Sequence, residues 1–176
     1  MGPSTGLAVD IGTTTVAVAL LDLRTGARLA EDGFVNPQKA FGLDVLSRIH
    51  YDIEHPGGVL ELQRVLVERL EQSARTLTES LGRTPETIYE VVVGGNSTML
   101  HALLGIPLAS LGQAPYRSVF SYAVTVLASE LGLALHPQAR VYCIPSVSAY
   151  IGGDIVSGAL ASRLDQVEDT VLFLGI

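Results

Sequence analysis

The sequence predicts an α/β fold built on a mixed sheet, and three observations carry that expectation. Three short apolar runs separated by tight turns open the chain. Two amphipathic helical stretches follow. The remainder alternates apolar strand-like runs with helix starts. Short turns join the first three runs, which suits an antiparallel meander, whereas strand–helix–strand order asks for parallel neighbours.

Taken in order, residues 6–10 read as a strand ending at Asp10, and Gly12 to Thr15 as a turn. Residues 16–21 (VAVALL) are almost continuously apolar, so this strand is expected at the centre, covered on both faces. After the turn Arg24-Thr25-Gly26, residues 27–35 form a third strand whose Arg28, Glu31 and Asp32 suit an edge. Residues 44–55 place Val45, Leu46, Ile49 and Ile53 on one helical side and Asp44, Ser47, Arg48, Tyr51 and His55 on another. Pro56-Gly57-Gly58 breaks the chain. Val59, Leu62, Leu66, Leu70, Ala74, Leu77 and Leu81 then trace one face of a long helix, with Arg64–Glu68, Glu71–Arg75 and Arg75–Glu79 as surface pairs. Residues 88–93 form a strand that Gly94-Gly95 ends. Residues 98–104 and 122–131 read as helices, 105–120 as an irregular connection and 139–144 as a strand. A helix opens at Gly152-Gly153-Asp154 and runs to about Leu164, and 170–174 begin a last strand.

The 176 residues suit one domain with a buried core, and 48% hydrophobic with 16% charged residues exclude wholesale disorder. A net charge of -7 without a basic stripe argues against nucleic acid as a partner. No apolar run approaches the roughly 18 residues of a membrane span, and no targeting segment is visible, so a cytoplasmic protein without a membrane partner is expected. One cysteine excludes a disulfide framework or a cysteine-ligated iron–sulfur cluster within the chain. Cys143 lies in an apolar run and reads as a small buried hydrophobe.

Asp10, Gly12, Thr13, Thr14 and Thr15 form the sharpest motif. Gly12 lets backbone approach a ligand, consecutive N–H groups and hydroxyls suit phosphate oxygens, and an acid at a strand end suits hydrated magnesium. These residues favour phosphate binding over an ordinary strand-connecting turn. Gly94, Gly95, Asn96 and Ser97 join a strand to a helix start that would favour an anion, although simple capping accounts for them alone. Beside Gly153, Asp154 would orient a water or a magnesium ligand, or would complement the helix dipole, and both readings stand. The polar face Asp44, Ser47, Arg48 reads as a solvated helix surface with an Asp44–Arg48 ion pair. The four histidines form no metal-ligand motif.

Several linked strings carry a resemblance: DIGTTTV at 10–16, LDLRTG at 21–26, NPQ at 36–38, GLDVLSR at 42–48, VGGNSTMLH at 93–101, LGI at 104–106, IP at 144–145 and IGGD at 151–154. Together they resemble the ATPase domain of corrinoid-protein reductive activators, within the actin-like ATPase superfamily. That resemblance implies a ribonuclease H-like, actin-type lobe over residues 6–176, preceded by a disordered leader at 1–5 and cut at the start of a second lobe. It implies ATP and magnesium as cofactors and a corrinoid protein or methyltransferase as partner. It also implies a [2Fe–2S] cluster in a ferredoxin-like domain absent from this chain.

By the same resemblance, Asp10 engages magnesium or the nucleotide-bound water, and Gly12–Thr15 hold phosphate. Gly94–Ser97 become an interdomain segment beside the nucleotide, and Asp154 faces the same cleft. Residues 36–48 become candidates for contacts to a partner or second subunit. An isolated lobe is expected to bind nucleotide weakly and to self-associate, which would give a homodimer. An acetate- or sugar-kinase lobe, or a nonenzymatic docking module of the same fold, are the alternatives.

Overall fold

The computed structural model describes residues 2, 4–166 and 169–172, without the Asp165 side chain. Its strands are β1 (Thr5–Ile11), β2 (Thr15–Asp22), β3 (Arg28–Val35), β4 (Ile88–Gly95), β5 (Val124–Leu127) and β6 (Arg140–Cys143). They form one sheet in the order β3-β2-β1-β4-β6-β5. The first three pair antiparallel, β1–β4 and β4–β6 pair parallel, and β5 closes the far edge antiparallel. This is the expected meander followed by strand–helix units, an α/β lobe on a six-stranded mixed sheet.

The helices are α1 (Val45–Glu54), α2 (Gly58–Glu79), α3 (Ser97–Leu104), the single turn α4 (Ala109–Gly112) and α5 (Gly153–Ala161). No helix among the described residues is long and apolar enough to cross a membrane. The core lies between one sheet face and α2 with α3. Leu7, Val9 and Ile11 of β1, Val16, Val18 and Leu20 of β2, and Val91 and Val93 of β4 point into it, to meet Leu66, Leu70, Met99, Leu100 and Leu103. Ile49, Val59, Leu62, Ala102, Leu108 and Leu111 form a second cluster, which anchors α1.

Several expectations need correction. β2 is not covered on both faces: Val16, Val18 and Leu20 are buried while Ala17 is exposed and Ala19 half-buried. Alanine is apolar enough to hide the period-2 pattern yet small enough to stand uncovered. β4 continues through Gly94 and Gly95, which stand opposite Asp10 and Ile11. Residues 122–131 are not a helix but β5 followed by a 3₁₀ turn over 128–131. The β-branched Val124, Thr125 and Val126 suit an edge strand that pairs with β6.

On α1 the expected sides are inverted at three positions: Arg48 is fully buried, while Leu46 is 64% exposed and Ile53 is 43% exposed. Arg64–Glu68 and Arg75–Glu71 pair as expected, but no Arg75–Glu79 pair forms among the described residues. β1 starts at Thr5, one residue before the expected lobe, with the Thr5 hydroxyl donating to the Thr87 carbonyl. Of the expected last strand, 170–172 are not in a strand and 173–174 lie outside the described residues. Cys143 is buried, as expected, and burial pushes its thiol up to about 12.

Candidate functional site

Three parallel strands, β1, β4 and β6, deliver their carboxyl ends to one edge of the sheet, the place where open α/β sheets bind ligands. Asp10 and the Gly12–Thr15 turn leave β1 there, Asn96 leaves β4, and the segment after β6 returns to open α5 at Gly153. Period-2 alternation sends Leu7, Val9 and Ile11 into the core, so Asp10 projects to the opposite, open face. A cleft of about 610 Å³ lies over that face, lined by Ala8, Asp10, Ala17, Gly94, Ile144 and Ser157 among others. Thr13–Thr15 lie outside its lining, so cleft and turn adjoin through Asp10.

Solvent reaches Asp10, yet partial burial first and the charge of Asp154 second raise its carboxyl above the ordinary range. The charge of Asp154, in the first turn of α5, thus reaches Asp10 at the end of β1. Gly152 makes this approach possible. A Cβ there would stand 2.5 Å from the Asn96 Cα and 2.7 Å from the Gly95 carbonyl oxygen, which only glycine avoids.

Asn96 joins the segments. Its Oδ1 caps α3 by accepting from the Met99 N–H at 3.0 Å, and its Nδ2 donates to the Thr13 hydroxyl oxygen at 3.1 Å. Gly12 is needed at the turn itself, because a Cβ would lie 2.6 Å from the Thr15 carbonyl oxygen. Gly95 and Ser97 are buried, and the Ser97 hydroxyl donates to the Ser148 carbonyl at 2.8 Å. Gly153 is buried against Ile144. The structure therefore brings Asp10, Thr13, Asn96 and Asp154 together, leaves Thr14 and Thr15 exposed, and puts Gly95, Ser97 and Gly153 into packing.

The expected solvated face on α1 is wrong for Arg48. Asp44 caps α1 through a reciprocal bond with Ser47, and no Asp44–Arg48 ion pair forms among the described residues. Arg48 instead turns inward. It donates from Nη2 to the Thr13 carbonyl at 2.5 Å, from Nε to the Gly42 carbonyl at 3.0 Å, and from Nη1 to Gln38 Oε1 and Met99 Sδ, each at 3.2 Å. Asn36 Nδ2 donates to the Gly12 carbonyl at 2.8 Å, and Gln38 Nε2 to the Leu62 carbonyl at 3.0 Å. Asn36, Gln38 and Arg48 are all fully buried, so none offers its side chain to a partner. Nothing in composition or spacing marks them as support for the turn, and the only signal is their place in the quoted strings.

Comparison with known proteins bears on this geometry. The family described as the RACo middle region matches residues 5–167. The corrinoid activation enzyme RamQ of Eubacterium limosum is 31% identical over 173 residues, which cover 98% of this chain and 29% of the relative. A solved structure described as a reductive activator for corrinoid, iron–sulfur protein superposes with a TM-score of 0.92 at 38% identity, over 95% of this chain and 27% of that one. The chain therefore spans under a third of the length of either relative.

Proposed function

The chain belongs to the RACo middle region family, and from that premise we propose that it is the first nucleotide-binding lobe of an ATP-dependent activator that reduces a corrinoid protein. The observation that carries the reading is the convergence of Asp10, the Gly12–Thr15 turn, Asn96 and Asp154 at the carboxyl edge of the parallel strands.

The residues fit a magnesium–nucleotide. Asp10, partly buried and facing the charge of Asp154, is more comfortable beside a divalent cation, which takes one or two carboxylate ligands and completes its shell with water and phosphate. Asp10 would hold the cation or a water bound to it, with Asp154 as the second acid. The backbone N–H groups and hydroxyls of Thr13, Thr14 and Thr15 would hold phosphate oxygens. When bound, the cation would offset phosphate charge. Gly94 and Asn96 would border the nucleotide, while Gly95, Ser97 and Gly153 would fix the backbone behind it.

The nucleotide would lie between this lobe and a second one outside these residues, so the 176-residue chain alone is expected to bind it weakly. The chain's single cysteine is buried, so a [2Fe–2S] electron carrier would belong to another domain. Nucleotide that binds one lobe arrangement more tightly shifts the population toward it, and that shift would couple ATP to an uphill electron transfer.

The test is reduction of a cob(II)alamin-containing protein by the full-length gene product with a low-potential electron donor, followed by cobalt absorbance. ATP-dependent appearance of Co(I), lost in Asp10→Asn, supports the reading. Equal reduction with and without ATP, or ATP consumption that phosphorylates acetate or a sugar instead, overturns it.

A further inference from the structure

A trans peptide unit points its C=O and the following N–H in opposite directions. In the phosphate turn, three consecutive carbonyls are held from behind: Gly12 by Asn36 Nδ2 at 2.8 Å, Thr13 by Arg48 Nη2 at 2.5 Å, and Thr14 by the Asn36 backbone N–H at 2.9 Å. The N–H groups of Thr13, Thr14 and Thr15 therefore leave on the other side. Those of Thr13 and Thr14 donate to no protein acceptor among the described residues. A turn with its carbonyls clamped inward and its N–H groups unspent is already in the conformation that an anion requires.

Behind that turn sits a fully buried guanidinium with no ion-pair partner among the described residues. All its acceptors are neutral: two backbone carbonyls, the Gln38 amide oxygen and the Met99 sulfur. A buried charge normally brings its counter-ion with it. Burial draws Arg48 below its ordinary value and Asp44 opposes this, but an arginine stays protonated in a protein.

We propose that Asn36 and Arg48 are positioning residues for the phosphate turn, and that the charge of Arg48 is balanced by the phosphates of the bound nucleotide. The proposal rests on the nucleotide reading above. It assigns the NPQ string and the last residue of the GLDVLSR string to the back wall of the site, where they act through the Gly12–Thr14 backbone without touching ligand. It also makes affinity depend on phosphate charge in a way that a merely structural arginine would not.

The experiment titrates Mg–ATP and, separately, adenosine into the full-length gene product carrying wild-type sequence, Arg48→Lys, Arg48→Met or Asn36→Ala, with a thermal melt of each. Arg48→Lys keeps the charge but loses the fork, so ATP affinity is expected to fall about tenfold, and Arg48→Met about 100-fold or more. Asn36→Ala is expected to fall about tenfold, while adenosine affinity stays within about twofold in every variant. Should Arg48→Met fail to fold, Arg48→Lys and Asn36→Ala still decide the matter. Wild-type ATP affinity in both, or parallel losses for ATP and adenosine, overturns this inference alone. Absence of Mg–ATP binding by the wild type overturns it together with the nucleotide reading.

Discussion

Replacing Gly152 by alanine tests whether the two acidic segments of the site are held together by backbone contact. The added Cβ would stand 2.5 Å from the Asn96 Cα and 2.7 Å from the Gly95 carbonyl oxygen, against roughly 3.5–4 Å for an unstrained carbon contact. Both neighbours are backbone, so neither yields by changing rotamer. The start of α5 must move away from the β4–α3 junction by about 1 Å, a shift of the size that costs about 100-fold when it displaces a positioned group. Overpacking of this kind costs about 1–3 kcal/mol. Gly26→Ala is the control: its φ of +73° makes the substitution strained, but nothing lies within 4 Å of the new methyl and the turn is remote from the site. Circular-dichroism melts and Mg–ATP titrations of the full-length gene product read both effects. Gly152→Ala should lose stability and at least about tenfold in ATP affinity, and Gly26→Ala stability alone. Wild-type ATP affinity in Gly152→Ala, or an equal affinity loss in Gly26→Ala, would refute the reasoning.

His101 links α3 to the following loop. Its Nδ1 lies 2.7 Å from the Ser97 carbonyl and its Nε2 accepts the Val119 N–H at 3.1 Å, so the ring is neutral with its proton on Nδ1. Burial lowers its pKa, although the Ser97 carbonyl opposes the shift. The unfolded chain therefore binds the proton more readily. This contribution is complete above the unfolded value near 6.5 and is lost as pH falls through the lower folded value. Chemical denaturation at a series of pH values should show that fall in the wild type. His101→Leu should show a flatter profile and lose about 1–3 kcal/mol at neutral pH through the two missing bonds. Cys143, buried with its thiol pushed up to about 12, should ignore a disulfide reagent in the native chain and react fully after denaturation. Rapid native labelling would place it at the surface.

The meander was legible because its strands are short, bounded by glycine-containing turns, and apolar on at least one face. The turn after β1 was legible as a turn because Gly12 and the three threonines that follow the strand-ending Asp10 are local features. The site's back wall was not. On α1, helical periodicity groups Arg48 with Asp44 and Ser47, and only the tertiary fold shows that the turn after β1 offers it carbonyls while Leu46 is left outside. The approach of Asp154 to Asp10 depends in the same way on β6 lying beside β4, which no local pattern specifies. The misreading of residues 122–131 has a local cause. Val124 and Val126 alternate with Thr125 and Leu127, but Leu127, Ala128, Glu130 and Leu131 also suit a helix, and the β-branched residues were the better guide.

Calorimetric titration of the full-length gene product with Mg–ATP, wild type against Asp10→Ala, bears on the nucleotide reading with the fewest intervening steps. Saturable binding by the wild type and its loss in the variant, with both proteins folded by circular dichroism, is the expected result. Equal binding by the two proteins, or none by the wild type, would contradict it.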